Sequence, residues 1–395
     1  MRIGLVSYEY PPDVGGEATY TRSLAVGLAR LGHEVLLVIP ERTKAPELFE
    51  EPGVKKMPVR ILDVPMFKVG SFMLGARREL GRLNVDRRID IVHLTFDYPS
   101  LPLPMSGLDV PTLTTVHHLH LVEALSMLKT SRSLSAALPT LARGFFTTMT
   151  ERVVLSRADS IIAVSRFTKD SLVKYAGVAA DEVRVVPNGI DMDPFLNSAD
   201  RGTLRKRFGL GTKPIVLFVG RLGASKGLEV LIRAFGESGS RLAACLLIVG
   251  SGSTEYSAQL RRLSSSLGLG DRVVFTGRLD QADLNEAYAA SAVVVLPSLM
   301  EGFGMSVLEA MASGRPCIAT RVGAVPEIVL PSRAGLLVPP GDSDALSKAL
   351  QEVLGDPGEA RRMGDRGREF ANSEFTAERM VERTLAVYFE LLGRK

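Results

Sequence analysis

The chain has 395 residues, of which 46% are hydrophobic and 23% are charged, and its formal net charge at pH 7 is +4. This composition is typical of a globular protein and excludes a disordered, collagen-like or disulfide-stapled chain. The length predicts two or three domains, and the nearly balanced charge argues against a nucleic-acid partner.

The cysteines and the N-terminus indicate the compartment. Cys245 and Cys317 are the only cysteines, and each lies in an apolar run that predicts a buried strand. A reducing environment is the simplest interpretation. The first residues lack the roughly 7–15-residue apolar stretch of a signal peptide, and no run is long enough for a spanning helix. We therefore predict a cytoplasmic protein.

Short apolar runs alternate with amphipathic stretches in the first half of the chain. A helix is predicted over 20–31, with Leu24, Leu28 and Leu31 on one face and Gly32 at its end. Strands are predicted at 3–7, 35–39, 91–94, 112–116, 160–164 and 183–186. This alternation favours a parallel sheet covered by helices on both faces.

The alternation breaks in the polar, turn-rich segment 188–213 and then restarts, with a helix from Gly227 and a long last helix over 376–392. Strands are predicted at 215–219, 246–249, 273–276, 293–297, 317–320 and 335–338. We predict an α/β protein with two doubly wound, Rossmann-like domains, residues 1–190 and 191–375. Because parallel sheets bind ligands at the carboxyl ends of their strands, we expect a central cleft between the domains.

The segment EGFGMSVLE follows the predicted strand at 293–297 and opens a helix. Glu301 is expected in the loop and Glu309 one turn into the helix. Gly302 and Gly304 let the backbone approach a ligand, and the free N–H groups of a helix N-terminus suit a phosphate. In this interpretation Glu301 binds a sugar and Glu309 a ribose. The alternative is two surface glutamates near a helix start, where acids are favourable anyway.

Arg221 and Lys226 follow the predicted strand at 215–219, in VGRLGASKG. Two cations beside a glycine-rich turn suit a diphosphate whose charge grows as it leaves. Solvated surface charge is the alternative interpretation. The segment GSGS at 250–253 is a weak signal, and the P-loop pattern GxxxxGK[ST] does not occur.

In the first half, PPDVGG at 11–16 is either a tight turn or a close backbone approach to a ligand through Gly15 and Gly16. His117 ends the strand at 112–116 in TTVHHLH. Three histidines in this stretch suggest a metal, but only Glu123 lies nearby, so we predict none. A histidine at a strand end can instead hydrogen-bond a substrate hydroxyl.

Two further patterns involve charged residues. Asp191 with Asp193 and Asp342 with Asp344 spell Asp-x-Asp, but the first pair lies in a turn and the second reads as a helix N-cap, so neither is assigned a metal. The segment 129–157 carries basic residues among apolar ones. It is either a surface that meets anionic lipid or a phosphorylated acceptor, or a core-covering helix with a solvated face.

The segments PPDVGG, TTVHH, AVSRFTKD, VPNGID, VGRLGASKG, PSLMEGFGMSVLEAMASGRP and AGLLVPPGD, in this order, resemble the retaining glycosyltransferases of family 4, which have the GT-B fold. The resemblance implies transfer of a hexose from a nucleotide-diphosphate sugar to an acceptor hydroxyl of a glycan, sugar phosphate or glycolipid. It implies no metal or other cofactor, and a last helix, 376–395, that packs back on the first domain.

The resemblance also implies roles for single residues. Glu301, His117, Arg221 and Lys226 are expected to be catalytic, with Glu301 on hydroxyls of the donor sugar and His117 beside it. The donor-binding residues are expected to be Gly16, Arg221, Lys226, Leu279, Glu301, Phe303, Gly304, Met305, Ser306 and Glu309. Of these, Arg221 and Lys226 hold the diphosphate, Gly16 approaches the phosphate, Glu309 binds the ribose and Leu279 lies near the base.

Two other functions stay open at this point. A nucleotide-sugar epimerase or hydrolase on a similar fold releases nucleotide without an acceptor. A non-enzymatic nucleotide-sugar-binding subunit is the third possibility, although the charged residues Glu301, Glu309, Arg221 and Lys226 are all present.

Overall fold

The computed structural model describes residues 1–11, 15–41, 51–62, 64, 68–84, 89–96, 109–130, 134–238 and 243–393, with only the backbone at 127–130, 134–143 and 146. The chain divides into two compact units. Unit 1 comprises Met1–Ile190 and Ala377–Lys395, and unit 2 comprises Asp191–Thr376.

Unit 1 is built on a seven-stranded parallel sheet with the order β3-β2-β1-β4-β5-β6-β7. Its strands are β1 (Arg2–Val6), β2 (Glu34–Pro40), β3 (Val54–Val59), β4 (Ile91–Leu94), β5 (Thr112–Val116), β6 (Ser160–Ala163) and β7 (Val183–Val185). The helices before the junction are α1 (Gly16–Arg30), α2 (Lys68–Asn84), α3 (His120–Thr130), α4 (Leu134–Leu155) and α5 (Arg166–Ser171). The predicted strands of this half are confirmed. Strand β3 was not predicted, because its sequence VKKMPV is polar; it lies at the sheet edge, where Pro58 is tolerated.

Unit 2 contains a six-stranded parallel sheet with the order β10-β9-β8-β11-β12-β13. Its strands are β8 (Ile215–Val219), β9 (Cys245–Val249), β10 (Val273–Gly277), β11 (Val293–Leu296), β12 (Cys317–Thr320) and β13 (Gly335–Val338). Its helices are α6 (Asp193–Leu196), α7 (Thr203–Arg207), α8 (Leu228–Glu237), α9 (Thr254–Ser266), α10 (Gln281–Ala290), α11 (Met305–Ala312), α12 (Val325–Ser332), α13 (Ser343–Gly355) and α14 (Pro357–Glu374). The strand order reverses direction between β8 and β11, so the crevice for a ligand is expected at their carboxyl ends.

The polar junction segment contains structure that its sequence did not reveal. It holds α6 and α7, and the N–H of Leu204 in the first turn of α7 donates a 3.0 Å hydrogen bond to Oε1 of the buried Glu286 on α10. Since a carboxylate at a helix N-terminus satisfies an otherwise unpaired donor, this contact stabilises α7 on unit 2.

The last helix, α15 (Ala377–Gly393), was predicted over 376–392 and belongs to unit 1. It packs on α1 so closely that a Cβ added to Gly27 would lie 2.5 Å from Cγ2 of Val381. A buried polar network holds it as well: Nδ1 of His93 lies 2.7 Å from the Tyr388 hydroxyl, and Nε2 lies 2.7 Å from that of Thr115. Burial lowers the pKa of His93 to about 3, so this histidine is neutral at physiological pH.

The segment 129–157 falls mostly on α4. Val154 and Leu155 are buried, whereas Phe145, Met149 and Val153 are exposed four residues apart on one face of the helix. Side chains of the predicted basic residues Lys129, Arg132 and Arg143 lie outside the described part of the chain. The core-covering role of α4 is thus visible in its C-terminal half, and contact with an anionic membrane stays a prediction. In the part of the chain that the structure covers, no helix is both long and apolar enough to cross a bilayer.

Candidate active site

The candidate site of unit 2 lies where the loops after β8 and β11 meet. These two strands are neighbours in the sheet, so the loop after β8, which carries Arg221 and Lys226, lies beside the loop after β11, which carries Glu301. The N–H of Leu299 donates a 2.8 Å hydrogen bond to the carbonyl of Ser225, which ties the two loops together. This is the switch point of the sheet, where open α/β folds bind ligands.

Lys226 and Glu301 form an ion pair at this point. The distance from Nζ of Lys226 to Oε1 of Glu301 is 2.5 Å, and the side chains are only 22% and 11% exposed. The hydroxyl of Ser298 donates to the same Oε1 at 2.8 Å. Both contacts use Oε1. The other oxygen, Oε2, has no hydrogen-bond partner among the described residues, so it can accept a hydrogen bond from a ligand hydroxyl.

The backbone around Glu301 is held by close contacts with two neighbouring loops. Gly323, after β12, has a φ of +54°, and a Cβ at this position would lie 1.7 Å from the Glu301 carbonyl oxygen. Gly227 has a φ of +66°, and a Cβ added there would lie 2.0 Å from the Pro297 carbonyl oxygen. Only glycine combines this conformation with this proximity. The hydroxyl of Thr320 donates to the Ser298 carbonyl at 2.5 Å, so the loop is fixed from β12 as well.

The N-terminus of α11 provides an anion-binding element. Its N-cap is Gly304, which has a φ of +100° and no side chain to cap the helix, and Met305 and Ser306 are its first residues. The first-turn N–H groups and the helix dipole therefore favour a negatively charged group. Phe303 is buried against Phe375, with ring centroids 5.9 Å apart, and anchors the loop that leads into the helix.

Glu309 lies one turn into α11, as predicted, and is half-buried. The hydroxyl of Tyr288 donates a 2.5 Å hydrogen bond to its Oε2. Burial raises the pKa of Glu309 to about 7, and the hydrogen bond from Tyr288 acts in the opposite direction because it favours the charged form.

Arg221 and Leu279, the other predicted residues in loops of unit 2, also follow the carboxyl ends of their strands. Arg221 is exposed directly after β8 and forms no ion pair with another residue in the described ranges. Leu279 follows β10 and is half-buried. Its neighbour Asp280 accepts a 2.9 Å hydrogen bond from the N–H of Asp283 and so caps α10, which fixes the loop.

The predicted residues of unit 1 also follow its strands. Gly16 is the first residue of α1, while residues 12–14 of the same motif lie outside the described residues. His117 is buried after β5; its Nε2 lies 3.3 Å from the Thr95 carbonyl, and its ring packs edge-on against Tyr20 at 4.9 Å.

The other histidines of this stretch pair with carboxylates. Nδ1 of His120 lies 2.6 Å from Oε1 of Glu151 on α4, and Nε2 of His118 lies 3.8 Å from Glu123. Asp342 caps α13 through a 2.8 Å hydrogen bond from the Ala345 N–H, which confirms the N-cap interpretation. Within the described ranges, no three His, Cys, Asp or Glu residues are grouped so that they could hold a metal ion.

Comparison with known proteins identifies the family. Residues 14–194 match the model of Glycosyltransferase Family 4, and residues 200–370 match that of Glycosyl transferases group 1. The sequence is 30% identical to an MMP alpha-(1->4)-mannosyltransferase of Mycolicibacterium hassiacum, over 100% of this chain and 99% of that protein. The chain belongs to glycosyltransferase family 4.

Solved structures agree with this family 4 assignment. Sucrose-phosphate synthase from Thermosynechococcus elongatus superposes with a TM-score of 0.83 at 27% identity and 100% coverage of both chains. HepE from Anabaena, in complex with UDP-glucose, has a TM-score of 0.77 at 19% identity, over 99% of this chain and 100% of that one. The fold is GT-B, as the sequence predicted.

Three residues of this family 4 glycosyltransferase that shape the site were missed from sequence. Ser298 and Tyr288 hold the two glutamates, and Gly323 supports the backbone of Glu301. The position of Ser298 directly after a predicted strand was a sequence signal for a site residue. Tyr288 lies within a helix, and its position gives no such signal.

Proposed function

We propose that the protein is a retaining glycosyltransferase that moves a hexose from a nucleotide-diphosphate sugar to an acceptor hydroxyl. The observation that carries this proposal is the Lys226–Glu301 pair at the β8–β11 switch point, beside the uncapped N-terminus of α11. A cation, a helix dipole and a carboxylate oxygen that no described residue contacts suit the phosphate and hydroxyl groups of such a donor. The complex of HepE with UDP-glucose supports a donor of this class.

In the proposed reaction, the bond from the anomeric carbon to the phosphate oxygen breaks, and a bond to the acceptor oxygen forms on the same face of the sugar. The departing phosphate takes the proton of the acceptor hydroxyl. Negative charge grows on the diphosphate during this step, and Lys226, Arg221 and the first turn of α11 stabilise it. The reaction thus depends on positioning and charge stabilisation.

Glu301 acts in this scheme as a binder of sugar hydroxyls through Oε2. It is a poor candidate for a nucleophile because its other oxygen is shared by Lys226 and Ser298. Glu309 binds the ribose, Leu279 lies near the base, and unit 1 binds the acceptor, with Gly16 near the phosphate and His117 beside the transferred sugar.

Donor binding and acceptor dependence test the proposal. Among UDP-, GDP- and ADP-sugars, we expect at least one to raise the melting temperature, since a ligand at 100 times its Kd stabilises the folded state by about 2.7 kcal/mol. With that donor, we expect nucleotide release to depend on an added acceptor and the product to keep the anomeric configuration. Failure of all donors to stabilise the protein contradicts the proposal, and acceptor-independent turnover favours an epimerase or hydrolase instead.

We further propose that transfer needs no metal ion, because Lys226 and α11 already place positive charge at the expected diphosphate. Treatment with a chelator is therefore expected to leave the transfer rate unchanged. Complete loss of transfer that Mn²⁺ or Mg²⁺ restores would refute metal independence and bring the Asp-x-Asp pairs back into consideration.

A further inference from the structure

In the described part of the molecule, the side chain of Tyr288 makes one polar contact, and it is with Glu309. Its side chain is fully buried on α10, and its hydroxyl lies 2.5 Å from Oε2 of Glu309. Its ring packs edge-on against Phe195 of α6, with centroids 5.8 Å apart and an interplanar angle of 78°. Full burial and the contact with Phe195 thus hold the ring, and the hydroxyl donates to Glu309.

This contact leaves the two oxygens of Glu309 unequal. Oε2 accepts from Tyr288, while Oε1 has no hydrogen-bond partner within the described residues. A single carboxylate oxygen has two lone pairs, which suffice for the two hydroxyls of a vicinal diol. Without Tyr288, the carboxylate would be free to rotate and would lose this asymmetry.

The contact also acts on the ionisation of Glu309. Burial raises its pKa to about 7, and the Tyr288 hydroxyl opposes this rise by stabilising the charged form. No charged group on the neighbouring described elements α6, β11, β12 and α14 adds to these two influences. Removal of the hydroxyl therefore raises the pKa further and leaves more of Glu309 protonated, and unable to accept at that oxygen, at neutral pH.

We propose that Tyr288 is a positioning residue that orients Glu309 and keeps it as a carboxylate, so that Oε1 receives the ribose hydroxyls of the donor. The inference rests on the proposed function. It predicts that donor binding distinguishes ribose from deoxyribose and depends on pH through Glu309.

Tyr288→Phe tests this inference, because it removes the hydroxyl and keeps the ring against Phe195. The probe is whichever of UDP-glucose, GDP-mannose and ADP-glucose stabilises the wild type most; the phosphates of these donors do not titrate near pH 7. Calorimetric Kd values from pH 6 to 9 are expected to rise for the wild type as the pH falls below about 7. In Tyr288→Phe we expect a Kd about tenfold weaker at pH 7.5 and a midpoint shifted to higher pH.

The 2′-deoxyribose form of the same donor supplies a second readout that a purely structural role would not change. The wild type is expected to prefer the ribose form, and Tyr288→Phe to lose most of that preference. Tyr256→Phe is the matched control, since it removes another tyrosine–glutamate hydrogen bond of unit 2, the 2.6 Å contact with Glu229. It is expected to keep the wild-type Kd, preference and midpoint.

The outcomes separate the inference from the proposed function. A wild type that binds none of the three donors overturns the proposed function. A folded Tyr288→Phe with the wild-type Kd, sugar preference and pH midpoint overturns the role of Tyr288. Should Tyr288→Phe fail to fold, Tyr288→Met, which also lacks the hydroxyl, takes its place with the same expected changes, and wild-type values in a folded Tyr288→Met overturn the role of Tyr288. A pH midpoint retained in Glu309→Gln also overturns the inference.

Discussion

Lys226→Ala and Glu301→Ala are each expected to lower the kcat of sugar transfer by about 10²–10³-fold, the effect typical of losing one preorganised charge-stabilising group. Lys226→Ala removes the cation expected at the diphosphate and also leaves the half-buried Glu301 without its 2.5 Å partner. Glu301→Ala removes the acceptor for the donor-sugar hydroxyls. Steady-state kinetics with the donor found by the thermal-shift screen measure both effects.

Because Lys226 and Glu301 contact the same oxygen atom, their effects are not expected to add. The double variant should lose less than the product of the two single losses. Lys206→Ala, which removes an exposed lysine of α7 in the same unit, is the control and should retain full activity. Wild-type turnover in both Lys226→Ala and Glu301→Ala, with melting temperatures unchanged, would rule out the proposed site.

Gly323→Ala is expected to lower kcat by about 100-fold although the residue has no functional group. Its Cβ would lie 1.7 Å from the Glu301 carbonyl oxygen, so the Glu301 backbone must shift by more than an ångström to admit it. A displacement of that size at a positioning residue costs about two orders of magnitude in rate. The measurement is kcat together with the melting temperature.

Gly268→Ala separates this displacement from the cost of the backbone conformation. Gly268 has a φ of +66°, but no atom lies within 4 Å of a Cβ added there. It precedes β10 and therefore lies on the side of the sheet where the strands begin, away from the candidate site. Gly268→Ala should lose about 1–2 kcal/mol of stability, the cost of a left-handed alanine, and Gly323→Ala at least as much because of its clash, but only Gly323→Ala should lose activity. Equal activity in the two variants would show that the Gly323 contact does not position Glu301.

Most of the fold could be predicted from the apolar runs. Strands β8 and β9, with the sequences IVLFV and CLLIV, are covered on both faces and therefore read as continuous hydrophobic segments. Two elements, β3 and α7, could not be predicted in this way, and each has a physical reason. Edge strand β3 is polar because one side faces no neighbouring strand, and α7 depends on a capping carboxylate, Glu286, that lies 82 residues away in the chain.

The sequence by itself determined which residue types follow each strand, because alternation and turn chemistry are local properties. It therefore predicted Lys226 and Glu301 as candidates. Only the tertiary structure decided that they touch, since their contact spans 75 residues and requires β8 and β11 to be neighbours in the sheet. The same holds for Tyr288 and Gly323, whose importance lies in a distance to one atom of a glutamate, and such distances are set by packing.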